Sequence, residues 1–203
     1  MPSTDVTHAA ELATAADAMI GLAAKITDDQ LDRPTPCDDI DLGQLLAHVV
    51  GLSVAFAAAA RKDLGPNTST APDLSAMVLP PNWRAELRRT LGDLVVAWQD
   101  PEAWRGMTRA GGVDAPAELL GTVAVSEVVL HGWDVARSIG VEPDLPDDVL
   151  QTVFDFHHPA RPQSEREGMF GPVVEVPDDA PLAERLAGLT GRDPFWPHGS
   201  LEE

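Results

Sequence analysis

The chain has one cysteine, Cys37, among 203 residues. That excludes an internal disulfide and any metal site built from several thiolates. Basic residues are scarce as well: 14 Lys and Arg stand against 33 Asp and Glu, for a formal charge of −19. A nucleic-acid binder needs a basic stripe that displaces counter-ions from phosphates, so nucleic acid is not an expected partner. The same field opposes doubly anionic small molecules unless arginines reverse it locally, and Arg84, Arg88 and Arg89 are the candidates for that. No uninterrupted apolar run reaches membrane-spanning length; residues 49–60, "VVGLSVAFAAAA", are followed by Arg61 and Lys62. The first residues lack the basic start and apolar core of a secretory leader. A cytoplasmic protein without membrane contact is expected. There is no internal repeat and no low-complexity tract.

What is present is a globular composition, 44% hydrophobic and 23% charged, on a chain long enough to bury a sizeable core. The apolar spacing is helical. Leu12, Ala15, Met19, Leu22 and Ala23 predict a first helix between Thr4 and Ile26. Asp41 suits the N-cap of a second, "LGQLLAHVVGLSVAFAAAARK". Residues 63–82 read as a long connection, and a third helix begins near Trp83. Residues 99–114 read as a loop or a short hairpin. A fourth helix has Pro116 in its first turn and Gly140 just past its end, and close approach by another helix would explain Gly121 and Gly132 inside it. "PDDVLQTVFDFHH" and "PLAERLAGLTG" predict two further, shorter helices. The expected fold is all-α: a single domain over 1–203, with a four-helix bundle in 1–141 and a mainly helical C-terminal extension in 142–203 packed on it.

The fourth helix carries the chemistry. Glu127 and His131 in "SEVVLHGWDVARSIG" lie one turn apart, so both can reach one ion. His48 of the second helix has core-like neighbours at helical spacing, Leu45, Gly51 and Leu52, and is expected to point inward. Two facing helices would then present His48, Glu127 and His131. A His₂Glu set with an open coordination position is the pattern of a catalytic zinc site. Spacing alone leaves the alternative open: core histidines held by hydrogen bonds and a buried carboxylate paired with an arginine. Asp134, on roughly the same face, can orient a ligand histidine by accepting its other N–H. It can also pair with Arg137, which the spacing favours.

Three strings, "TPCDDIDLGQLLAHVVG", "SEVVLHGWDVARSIG" and "FGPVVEVPDDAPLAERLAGLTGRDPFW", occur in this order. Together they resemble the actinobacterial metal-binding branch of the DinB-like superfamily, which also contains the mycothiol-dependent maleylpyruvate isomerase N-terminal domain. The resemblance implies a DinB-like four-helix bundle with a divalent metal ion, zinc or nickel, on His48, Glu127 and His131. Water or a thiol would complete the sphere. It further implies a mycothiol or other low-molecular-weight thiol as co-substrate, with a metal-held thiolate attacking an electrophilic substrate in an S-transferase or isomerase reaction. Where relatives carry Trp, three residues after the cysteine, this chain has Ile40, a change that touches packing at the start of the second helix.

The remaining candidates have plainer readings. Cys37 lies among carboxylates that would raise its pKa and is taken as structural. Trp133 is read as packing, and His157 and His158 as favourable charges at a helix C-terminus. His8 and His198 are read as surface residues. No catalytic residue beyond the metal-bound water or thiol can be assigned. A non-catalytic metal-binding or sensing protein is the chief rival, and iron(II)–oxygen chemistry on the same ligands the next. A homodimer is compatible with the apolar helices.

Overall fold

Helix α1, Ala9–Ala23, turns Leu12, Ala15, Ala16, Met19, Leu22 and Ala23 inward, one stripe at three- and four-residue spacing. The structure is a computed structural model and describes residues 7–37, 40–71, 73, 77–166 and 170–196. The expected start of the first helix at Thr4 and the residue His198 lie outside these. Next come α2, Leu42–Ala60, a single turn α3, Pro66–Ser69, in the long connection, and α4, Trp83–Trp98. The hairpin β1, Met107–Ala110, and β2, Val113–Pro116, pairs Thr108 with Ala115. Gly111 and Gly112 both have positive φ at its turn, the conformation a two-residue hairpin loop requires. The chain continues through α5, Ala117–Ser138, α6, Asp147–His157, and α7, Leu182–Leu189.

Four long helices close a ring in the order α1–α4–α2–α5, each packing on the next. The helix ends are set locally. The Asp41 carboxylate accepts from the Gln44 backbone N–H at 2.7 Å, and the Gln44 side-chain oxygen accepts from the Asp41 N–H at 3.0 Å. That reciprocal cap starts α2. Gly140, at φ +73°, ends α5, where Val141 N–H reaches Ala136 O at 3.0 Å. Leucines 12, 42, 45, 46, 91 and 94 are wholly buried, and each contributes about 1.5–3 kcal/mol relative to exposure. One core cluster runs from Leu12 to Leu186, with α6 against α1 and α5 and α7 against α6.

Two expectations need correction. Helices Leu42–Ala60 and Ala117–Ser138 are, by length and composition, apolar enough to cross a membrane. In the bundle they are interior helices, with 61% and 83% of the apolar windows buried against other helices. The glycines of α5 also differ from each other. A Cβ on Gly121 would lie 2.5 Å from the Trp104 ring and 2.8 Å from Trp98, so aromatic rings rather than a helix backbone demand the glycine. At Gly132 the nearest atom is Met19 Cε at 3.9 Å, ordinary contact, and close approach does not explain that residue.

Candidate metal centre

Adjacent helices of the ring, α2 and α5, carry the three predicted ligands. His48 lies two turns beyond the Asp41 cap, on the buried side of α2 with Leu45 and Leu52. The loop before it is fastened by Thr35, whose hydroxyl donates to the carbonyls of Ile40 and Cys37. Ile40 itself is buried in the core beneath the start of α2.

The structure brings His48, Glu127 and His131 together. His131 Nε2 lies 3.1 Å and His48 Nε2 3.7 Å from the same oxygen, Glu127 Oε2. The two rings stand perpendicular with centroids 4.9 Å apart. Ligands about 2.1 Å from one tetrahedral ion lie about 3.4 Å from each other, so these separations fit a shared ion. The donor chemistry fits as well. At 3.7 Å His48 makes no hydrogen bond to Glu127, and its Nδ1 is buried with no partner among the described residues. An ion on Nε2 would give His48 the bond that its 3.7 Å separation from Glu127 does not provide, while Nδ1 would still lack a partner among the described residues. Both imidazoles are buried, while a third of the Glu127 side chain remains exposed, 33%. The cluster therefore opens to solvent past the carboxylate.

Asp134 does face the site, but its pairing differs from the one expected. Its Oδ2 lies 3.0 Å from His131 Nδ1, and Arg192 grips it from Nε at 2.7 Å and Nη2 at 2.8 Å. Arg137 instead donates to Pro194 O at 2.5 Å. Spacing along one helix favoured Arg137, but the C-terminal segment supplies a guanidinium that meets both carboxylate oxygens at once. Cys37 reaches the same place: its sulfur lies within 4.8 Å of ligand atoms of His131 and Asp134.

The remaining candidates fall partly where expected: His157 and His158 do stand at the end of α6. His157 is half-buried, and its Nε2 lies 2.8 Å from Ser126 Oγ, so it ties α6 to α5. His158 stacks on Phe154. His8 is only partly exposed, edge-on to Trp104. Trp133 is packed in the interior under Arg137, as expected. Arg84 binds Asp28 and Ile26 O, and Arg89 binds Glu86, so both are engaged away from the cluster. Arg192, Ser126 and the tie made by His157 were not anticipated. Only the string around Arg192, "LTGRDPFW", carried a hint, because its glycine marks a helix end followed by a charge.

Charge in the cluster is strongly coupled. Partial burial pushes Glu127 upward, but the imidazoles of His131 and His48 outweigh it and hold the carboxyl well below the usual range. Burial pushes His131 down, yet Asp134 and Glu127 overcome that and raise it to about 9. Burial also opposes ionisation of Asp134, and Arg192 and His131 reverse it. Without an ion the site thus holds an imidazolium between two carboxylates.

This architecture can be set beside known proteins. The family described as mycothiol maleylpyruvate isomerase N-terminal domain matches residues 12–136. The chain belongs to this family. An uncharacterized protein of Mycobacterium tuberculosis, found in strains CDC 1551 and H37Rv, is 24% identical over 180 residues, covering 88% of this chain and 93% of the relative. The crystal structure of the mycothiol-dependent maleylpyruvate isomerase superposes with a TM-score of 0.57 at 17% identity, as does that of a point mutant of it. The match covers 71% of this chain and 65% of that one, and shows a shared fold. The family match ends at residue 136, so Arg192 and the whole C-terminal extension fall beyond it.

Proposed function

We propose that His48, Glu127 and His131 hold a divalent metal ion, zinc or nickel, and that the protein is a mycothiol- or other thiol-dependent S-transferase or isomerase of the cytoplasm. The observation that carries this reading is the convergence of one ligand atom each from His48, Glu127 and His131, all within 4.8 Å of one another. The family match supports the thiol. An ion there stabilises a bound thiol as its thiolate, the nucleophilic form.

The chain's own groups do the rest. Asp134 accepts from His131 Nδ1, so that displacement of the Nε2 proton would turn a lone pair towards the ion. Burial of both imidazoles shields the centre, and the exposed edge of Glu127 marks where thiol and substrate approach. The −19 charge opposes a dianionic electrophile, and Arg84 and Arg89 are committed elsewhere. We therefore favour an electrophile of low negative charge over a dicarboxylate. We take the extension, 142–203, as part of the same functional unit.

The test is metal content per chain by plasma mass spectrometry, on protein purified without chelators or an affinity tag. Near-stoichiometric zinc or nickel in the wild type, lost in His48→Ala and Glu127→Ala, is expected. Conjugation of mycothiol to a generic electrophile should then be faster with loaded than with stripped protein. Metal without such acceleration leaves a binding or sensing protein.

A further inference from the structure

The C-terminal extension reaches into the metal cluster through one side chain. Its place is set by the end of α7. Gly191 adopts φ +81°, its N–H bonds to Gly188 O at 3.0 Å, and Arg192 N–H bonds to Ala187 O at 2.9 Å. These paired bonds close the helix and fix the direction in which Arg192 leaves it. Gly191 also lies against the Gly171 backbone, where a Cβ would come within 2.6 Å of the carbonyl oxygen. From this anchored position the guanidinium meets both oxygens of Asp134, which is wholly buried. Arg137 of α5 fastens the same segment in the opposite sense, by donating to Pro194 O.

We propose that Arg192 is a positioning residue for the metal centre: it acts through Asp134 to hold the ring of His131, so that metal loading and docking of the C-terminal segment strengthen each other. This rests on the metal reading above. A two-point guanidinium–carboxylate pair is planar and fixes the rotation of the Asp134 carboxylate. That carboxylate in turn fixes which nitrogen of His131 carries the proton and where the other points. Without Arg192, a buried carboxylate would lose its counter-charge beside a metal ligand. Because coupling between sites is reciprocal, an ion on His131 stabilises the docked segment by the factor that docking adds to its affinity. The family-matched residues 12–136 therefore contain the ligands but not the complete support of the third one.

The experiment compares zinc affinity, by competition with a chromophoric chelator, in the wild type, Arg192→Ala and Arg192→Lys. Cobalt(II)-loaded samples supply a visible spectrum. Arg192→Ala is expected to weaken zinc roughly tenfold to a hundredfold, and to change the shape of the cobalt bands. Arg192→Lys, which keeps the charge but not the fork, should recover part of the affinity. A folded Arg192→Ala protein with wild-type affinity and band shape overturns the proposal and leaves the metal reading intact. Hydrogen exchange on the wild type covers the case in which the variant does not fold. Amides of 186–192 should exchange more slowly with zinc than without, and unchanged exchange overturns the coupling. A wild type that binds neither zinc nor nickel overturns both readings together.

Discussion

His157 Nε2 and Ser126 Oγ meet at 2.8 Å across the joint between α6 and α5, one residue from Glu127. The imidazole is held neutral there. Burial is the main cause, with Arg166 and Arg192 adding to it, and together they lower His157 to about 4. In the unfolded chain the same group takes up its proton near pH 6.5. The folded state thus binds fewer protons between these values, and the contribution of the neutral ring is complete above pH 6.5 and lost as pH falls towards 4. In urea titrations the stability gap between wild type and His157→Gln should be largest near pH 7 and shrink on acidification. A gap that does not change with pH would contradict a neutral, buried ring.

His131 titrates with the opposite sign. Raised to about 9 in the metal-free protein, it adds stability that is complete below pH 6.5 and lost as pH rises through 9. A metal must displace that proton. Apparent zinc affinity should then rise about tenfold per pH unit from 6.5 towards 8.5. Binding isotherms at several pH values, in a weakly coordinating buffer, check this; a flat profile would mean that His131 carries no proton to displace.

Metal removal should be visible in unfolding. Free zinc at a hundred times its dissociation constant adds about 2.7 kcal/mol to the stability of the loaded form. A chelator should therefore lower the thermal midpoint of the wild type and leave that of His48→Ala unchanged. Equal shifts in both proteins would assign the ion to some other site.

The two glycines inside α5 predict mutations of opposite sign. Gly121→Ala places a methyl group against Trp104 and Trp98, whose indole N–H groups are already bonded to Trp98 O and Phe56 O. Overpacking of this kind costs about 1–3 kcal/mol, more than the gain of about 1 kcal/mol in helix propensity. Gly132→Ala meets only Met19 Cε at 3.9 Å and should stabilise, by about 0.4–1 kcal/mol. Chemical denaturation midpoints of the two variants decide the signs.

The parts of this arrangement written in short-range pattern were legible. Glu127 and His131 share a helix face by spacing, Asp41 and Gly140 are caps with local causes, and His48 sits in an apolar stripe that had to turn inward. The bundle came from those stripes. What depended on distant partners was not legible. Arg192 lies 58 residues from Asp134, and no periodicity links them. Arg137, the obvious neighbour on the helix, was drawn off by carbonyls of the same C-terminal segment. His157 had a sufficient local explanation at a helix end, so its bond to Ser126 left no separate mark in the sequence. At Gly121 the need for a glycine was readable, but the indole rings that impose it come from elsewhere in the chain.

The spread of these groups along the polypeptide also sets a chronology. His48 leaves the ribosome well before Glu127 and His131, and Arg192 appears later still. Until Glu127 and His131 emerge, the growing chain carries only one of the three proposed ligands. On the proposed ligand set, the site cannot assemble until residue 131 has been made, and a chain halted between 131 and 192 would carry all three ligands without the arginine that supports Asp134.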